Sequence, residues 1–263
     1  MRKFIALGLW LVASLATLVH PATAAELRVM ISGGYAATFL EIAPIFEKES
    51  GNTVTVIRGP SMGETPEAIP NRLRRGEAAD LLIMVGSALD GLINGGLASA
   101  PDRVDLARSG IGLAVRQGAP HPDIGSEESL KRALLTARSI AYSDSASGVY
   151  LSTKLFPRLG IAEQLKDKAR MIPAEPVGAV VARGEAELGF QQISELKPIT
   201  GIDIVGPLPA GAQLMTVFSA SLANAAHEPE AARALLRFLS TSAVARKAVV
   251  ASGMEPVSTS GEK

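Results

Sequence analysis

Apolar positions recur along this chain in two rhythms, a period of two over short runs and a period near 3.6 over longer ones, and their alternation predicts strand, turn, helix units. Residues 26–31 (ELRVMI) read as a strand, Ser32-Gly33-Gly34-Tyr35 as a small-residue turn, and AATFLEIAPIFEKESG as a helix closing on Gly51. Within that helix Ala37, Leu40, Ile45 and Phe46 are spaced for a buried face, while Glu47, Lys48 and Glu49 face solvent. The unit repeats as NTVTVI, the turn Arg58-Gly59-Pro60-Ser61-Met62-Gly63, and a helix over 66–75. It repeats again as a strand over 81–85, the turn Gly86-Ser87-Ala88, and a helix containing ALDGLINGG. Consecutive units of this kind predict a parallel sheet with helices on both faces, with the turns converging beyond the carboxyl ends of the strands, where ligands bind. Asp80 lies at the opposite end of its strand and is expected to be structural.

The apolar run 103–116 (RVDLARSGIGLAVR) reads as a strand whose Gly110 and Gly112 mark a crossing into a second lobe. Beyond a Pro/Gly loop, EESLKRALLTA is a helix, 139–142 a strand, Ser143-Asp144-Ser145-Ala146-Ser147-Gly148 a polar turn, and VYLSTKLFPRLG another helix. Strands over 168–172 and 187–190 flank Glu175-Pro176-Val177-Gly178 and the helix GAVVARGE, and the later strand delivers Gln191, Gln192, Ile193 and Ser194 to its carboxyl end. After a strand over 202–205, TVFSASLA is a long strand returning to the first lobe, and an amphipathic helix over 229–239 with a shorter one after Thr241 closes the chain. The expected organisation is a signal segment over 1–24, a discontinuous first lobe of 25–108 and 213–263, and a second lobe of 109–212.

The beginning of the chain changes where this fold is expected to work. Met1-Arg2-Lys3, the apolar run FIALGLWLVASLATLV and Ala22-Thr23-Ala24 form the three parts of a secretory signal, cleaved between Ala24 and Ala25, so the mature protein is expected in the periplasm with no membrane insertion. The absence of cysteine excludes a disulfide framework and a thiolate metal site. Lys plus Arg and Asp plus Glu both number 26, so no global field favours nucleic acid or an anionic membrane, and any anion affinity is local.

Local chemistry is concentrated in the turns. A strand that ends in small residues and feeds a helix leaves backbone N–H groups aimed at the cleft, a geometry suited to an anion. Such turns are often mere connections, and it is their recurrence that points to use. Ser61, Ser145 and Ser147 have no Ser-His-Asp context and read as oxyanion donors. Tyr35 and Tyr150, beside turn glycines, can shuttle a proton, donate a hydrogen bond or simply pack. No HExxH, P-loop or usable GxGxxG is present, which weighs against a zinc hydrolase, an NTPase or a dehydrogenase.

SGGY after the first strand, GPSMG before RLRRGEAADLLIM, SGVYLSTKLFPRLGI and AEPVGAVVARGEAELGF resemble the molybdate-binding branch of the type II periplasmic binding proteins over essentially the whole mature chain. The resemblance implies a two-lobe α/β fold, each lobe a mostly parallel sheet flanked by helices, closing by a hinge over a ligand in the cleft between lobes. It implies oxyanion contacts at Gly34, Ser61, Ser147, Val177 and Gln192. Gly34 stands where that branch usually has a serine and Gln192 where it often has a tyrosine, a poorer shell for a tetrahedral dianion. SGGY, GPSMG, SDSASGVY and GFQQISEL are similar instead to a subgroup of exported aconitate isomerases of pseudomonads. That implies interconversion of cis- and trans-aconitate by an allylic proton shift, with no metal or other cofactor. The small Gly33-Gly34 pair would admit a six-carbon tricarboxylate, with Met62 and Gly148 in the same turns, and Arg58 would pair with a carboxylate in a bidentate way or stay solvated at its strand end.

The isomerisation requires a base. His20 leaves with the signal, His121 lies in a Pro-rich loop and His227 precedes a terminal helix. Glu64 follows the GPSMG turn and is the candidate base, with charging of a helix start as its competing role. Asp144 and Glu175 are open to the same two readings. The alternative function is a solute-binding protein carrying molybdate or a small organic acid anion to an ABC permease.

Overall fold

β1 (Glu26–Ile31) and α1 (Gly33–Ser50) are separated by a single residue, Ser32, whose N–H donates to the Ile83 carbonyl (2.9 Å). Gly33 and Gly34 are therefore the first turn of the helix and not a loop. This is a computed structural model that describes residues 24–173 and 175–257, so the signal reading of 1–24 lies outside the described residues but for Ala24. β2 (Thr53–Arg58) pairs parallel with one edge of β1, β3 (Leu81–Val85) with the other, and α3 (Gly86–Asn94) begins on the residue after β3. The middle unit departs from expectation. After Arg58 the chain stays irregular until α2 (Ile69–Arg74), so GPSMG opens no helix. Pro60 and Pro66 lack amide donors and Gly63 takes φ 106°, which together prevent helical pairing before Ile69.

The run read as one strand is two. β4 (Val104–Ser109) belongs to the first sheet and β5 (Ile111–Arg116) to the second, with Gly110 between them. The second sheet continues through α4 (Glu127–Thr136), β6 (Ile140–Ser143), α5 (Ala146–Tyr150), a π turn over Leu151–Leu155, α6 (Phe156–Arg158), α7 (Ala162–Leu165), β7 (Ala169–Ile172) and α8 (Val177–Ala182). It ends with β8 (Leu188–Gln192), α9 (Ile193–Leu196) and β9 (Ile202–Pro207). The chain then returns as β10 (Thr216–Leu222), α10 (Pro229–Thr241), α11 (Ala243–Ala251) and β11 (Glu255–Pro256).

The first sheet has the order β11-β4-β10-β3-β1-β2 and the second β7-β6-β8-β5-β9. The strands of the strand, turn, helix units pair in parallel, whereas β10 runs antiparallel to β3 and β4, and β5 antiparallel to β8 and β9. Both sheets are thus mixed, because the strands nearest the two crossovers enter from the opposite direction. Each has helices on both faces. Tyr35, Phe39, Phe46, Phe218 and Leu235 fill one side of the first sheet and Met30, Ile69 and Met84 the other. Leu113, Leu151 and Phe190 do the same for one side of the second, and Val177 and Val181 for its other side. In a chain without cysteine this burial, about 1.5–3 kcal/mol for each large apolar side chain, holds the lobes.

Asp80 is buried, and its carboxylate accepts N–H groups from Arg28 (2.8 Å), His227 (2.7 Å) and Glu228 (3.0 Å). It ties β1 to the start of α10, the structural role expected of it. At the crossovers the Gln213 amide accepts from the Ile111 N–H (2.8 Å) and donates to the Ile111 carbonyl (3.0 Å), clamping the outgoing strand to the returning one. No helix among the described residues is long and apolar enough to cross a membrane.

Candidate active site

A cleft of 340 Å³ lies between the lobes, within the range of small-molecule sites. The first lobe lines it with Gly33 at the start of α1 and with Arg58, Gly59, Pro60 and Glu67 beyond β2. The second lobe supplies Ser143, Asp144 and Ser145 at the end of β6, Glu175 and Pro176 before α8, and Gln191 and Glu195 from β8 and α9. A larger groove of 550 Å³, around His121, Arg132 and Glu187, sits on the second lobe away from all of these strand ends.

Glu195 was missed in the sequence. β8 runs through Gln192, two residues further than its apolar pattern indicates, so the short α9 starts at the cleft and its third residue faces across it. The carboxylate occupies the space that a side chain on Gly33 would need, which is why a glycine suits that position. Its pKa is pushed up to about 7, chiefly by burial, with Asp144 adding to the rise. Hydrogen bonds from the Gln191 side chain and the Gln192 backbone, and the nearby Arg58 charge, oppose it. One signal was available: Glu195 follows the end of a strand by three residues, at the same end as every turn singled out for chemistry.

Of the residues expected to bind, the structure brings Gly33, Arg58 and Ser145 together in the cleft, with Asp144 and Glu175 beside them. The others do not line it. Gly34 is buried against the Phe218 ring, so the space it leaves is filled by protein and not by ligand. Tyr35 lies in the first core, where burial pushes its phenol up, and its hydroxyl has no partner among the described residues. The buried Ser61 hydroxyl accepts from the Val85 N–H (2.9 Å), and Met62 packs on the same core. Glu64 is exposed on the irregular segment, clear of the cleft. Ser147 pairs with the Ser143 hydroxyl (2.9 Å), and Gly148 sits directly on the Ser143 carbonyl. Tyr150 donates to the Ala212 carbonyl (3.1 Å), and the Val177 N–H donates to the Gln191 side chain (2.9 Å). Gln192 is buried at the crossovers, donating to the Ser109 carbonyl (3.0 Å) and accepting from the Thr216 hydroxyl (2.8 Å) in the orientation that satisfies its neighbours. At Ser61, Ser147, Val177 and Gln192 a polar group that could serve a ligand finds a buried partner instead.

Arg58 is the one cation among the residues lining the cleft, against four carboxylates, Glu67, Asp144, Glu175 and Glu195. Glu175 is neutralised by Arg183 (2.6 Å). A polyanionic ligand would therefore meet its main positive charge at Arg58, and Glu195 would repel it less in its protonated form. Among the described residues no three His, Asp or Glu side chains are grouped as metal ligands.

Residues 27–255 match the family model of the bacterial extracellular solute-binding proteins. The chain belongs to that family. This solute-binding family member is 54% identical over 254 residues, 96% of each chain, to an aconitate isomerase from Pseudomonas sp. Among solved structures it resembles the Azotobacter vinelandii periplasmic molybdate-binding protein, with a TM-score of 0.69 and 21% identity over 89% of this chain and 99% of that one. It also resembles a periplasmic thiamin binding protein, with a TM-score of 0.68 and 14% identity over 90% and 85% of the two chains. These neighbours establish the type II periplasmic binding protein fold, and their different ligands show that the fold does not choose the ligand.

In this family member the lobes also touch beside the cleft. The Ser194 hydroxyl donates to the Gly34 carbonyl (2.7 Å) and lies 3.3 Å from the Ser109 hydroxyl, so α9 is held against the first turn of α1. The residue after Ser194 is Glu195.

Proposed function

We propose that this chain is an exported isomerase that interconverts cis- and trans-aconitate. The observation that carries the reading is the 54% identity, over 96% of both chains, to an aconitate isomerase. The cleft agrees with it in kind: one guanidinium to hold a carboxylate, and a partly buried carboxylate facing it.

The reaction moves one proton along an allylic system. A C–H bond at the methylene carbon breaks, its electron pair joins the neighbouring double bond, and a new C–H bond forms two carbons away as the double bond shifts. Both ends of the intermediate allyl anion carry carboxylates that take up the charge. The protein must supply a base of tuned pKa and fixed positive charge near those carboxylates. Arg58 supplies the charge, since a guanidinium stays protonated and can grip a carboxylate through two N–H groups. In this reading Ser145, which lines the cleft from the second lobe, donates a further hydrogen bond through its hydroxyl.

In this reading residues 25–108 with 213–263 form one lobe and 109–212 the other, a division supported by the sheets to which β4, β5 and β10 belong. The signal at 1–24 directs the protein to the periplasm, and the ligand is a small polyanion. A molybdate carrier is the less favoured reading, because the hydroxyls of Ser61 and Ser147 are engaged within the protein.

The test is incubation of purified mature protein with trans-aconitate after chelation of metals, following cis-aconitate by chromatography. Turnover that falls at least tenfold in Arg58→Ala supports the reading. Absence of turnover, with a melting shift produced by molybdate, returns the protein to the transport class.

A further inference from the structure

We infer that Glu195 is the base that removes the allylic proton and returns it two carbons away. The inference rests on the aconitate reading and names the group that reading leaves open. It stands on placement. Glu195 comes from the second lobe, faces Gly33 at the start of α1 in the first, and shares the cleft with Arg58. A substrate carboxylate held on Arg58 would share the cleft with the Glu195 carboxylate.

The other titratable groups are placed worse. Glu64 lies outside the cleft, and Glu67, which lines it, is exposed to solvent. Glu175 is held by Arg183, which also pairs with Glu185 (2.6 Å). His121 is in the distant groove beside Asp203 (3.5 Å), and the His227 segment is bound to Asp80 at the far end of the sheet. Tyr35 is fully buried in the core. Asp144 remains in the cleft, and its charge acts on Glu195, disfavouring a second negative charge there.

One carboxylate is enough. The two carbons that exchange the proton flank a single carbon, so a base above one face reaches both. Glu195 accepts the proton as the C–H bond breaks, is neutral while the allyl anion exists, and gives the same proton to the other end. No second acid and no external reductant or oxidant enters the balance. The site favours this cycle because burial disfavours the charged carboxylate, which strengthens it as a base and lets it keep the proton until it is returned. The Ser194 bond to Gly34 fixes the preceding residue, so the carboxylate is aligned when the lobes are together.

The groups facing Glu195 are Arg58, Asp144, the Gln191 side chain and the Gln192 N–H, with Glu67 lining the cleft from the first lobe and Glu175 from the second. Its pKa of about 7 gives a definite pH dependence: the base works ionised, so kcat/KM is expected to fall tenfold per pH unit below about 7.

The experiment compares wild type, Glu195→Gln and Glu195→Asp for turnover of trans-aconitate across pH, with ligand-induced melting shifts as the measure of binding. Expected are a loss of about a hundredfold or more in kcat for Glu195→Gln, with the aconitate melting shift retained, and partial activity in Glu195→Asp. The wild-type limb near pH 7 should be absent from the residual rate of the Gln variant. An active wild type beside a Gln variant within tenfold of it overturns the assignment alone. A wild-type kcat/KM that stays flat down through the ordinary glutamate range near 4.5 also overturns it, even if the variant fails to fold. A wild type without turnover overturns the aconitate reading, and the assignment with it.

Discussion

The hydroxyl of Ser194 donates to the carbonyl of Gly34 over 2.7 Å, joining residues 160 positions apart in the chain, one from each lobe. Both are buried. Removing the hydroxyl in Ser194→Ala is expected to cost about 1 kcal/mol and to lower Tm by about 2–4 °C. Because this bond holds α9 against α1, KM for aconitate should rise by more than the stability loss explains. Calorimetry and steady-state kinetics on the one variant check both. An unchanged KM would show that the contact plays no part in setting the cleft.

Glu195 makes stability depend on pH in a direction opposite to that of an ion-paired acid. Its folded pKa of about 7 lies above the ordinary 4.5, so the folded state binds the proton more tightly than the unfolded chain does. The stabilisation is fully present below about pH 4.5 and is lost as pH rises through about 7. Glu195→Gln, which cannot ionise, is therefore expected to be more stable than wild type at pH 8 by up to about 3 kcal/mol, with little difference at pH 4. Urea unfolding at the two pH values measures it, and a variant less stable at pH 8 would refute the burial argument.

Tyr35 separates a core hydroxyl from a catalytic one. Its ring fills the first core while its hydroxyl meets no partner among the described residues, so Tyr35→Phe keeps the packing and removes a buried polar group. Stability is expected to rise by about 1–3 kcal/mol, with kcat within twofold of wild type. A large fall in kcat would restore the phenol as a proton carrier.

Asp80 holds three backbone N–H groups from two parts of the chain. Asp80→Ala leaves them unpaired in a buried place, and a loss of about 3 kcal/mol or more is expected. The kcat of the remaining folded protein should be unchanged, since the carboxylate lies at the end of the sheet away from the cleft. Denaturant midpoints together with activity at low temperature distinguish the two effects.

Most of the architecture was readable from residue patterns. The alternation in β1 and β2, the continuous apolar run of β3, the crossing marked by Gly110 and the apolar character of β10 are local or nearest-neighbour properties, and each survives folding because burial rewards it directly. Asp80 was readable too, from its place before a strand. The cleft was legible only in outline: Gly33, Arg58 and Ser145 line it, whereas Ser61, Ser147, Val177 and Gln192 are turned inward. A polar group beside a turn can serve a ligand or a buried neighbour. Which one it serves depends on atoms supplied by distant parts of the chain.

Glu195 is the clearest instance. In sequence it is one glutamate in GFQQISEL, no different in kind from Glu64 or Glu175. What sets it apart is the burial it acquires against Gly33, the Asp144 charge from another strand end, and the Ser194 bond that fixes its backbone. Periodicity, turn chemistry and charge balance are carried by the chain itself, and these determined the lobes and the place of the cleft. Desolvation arises only when two segments far apart in sequence close on the same space, so it was the tertiary structure that decided which carboxylate is tuned to exchange a proton.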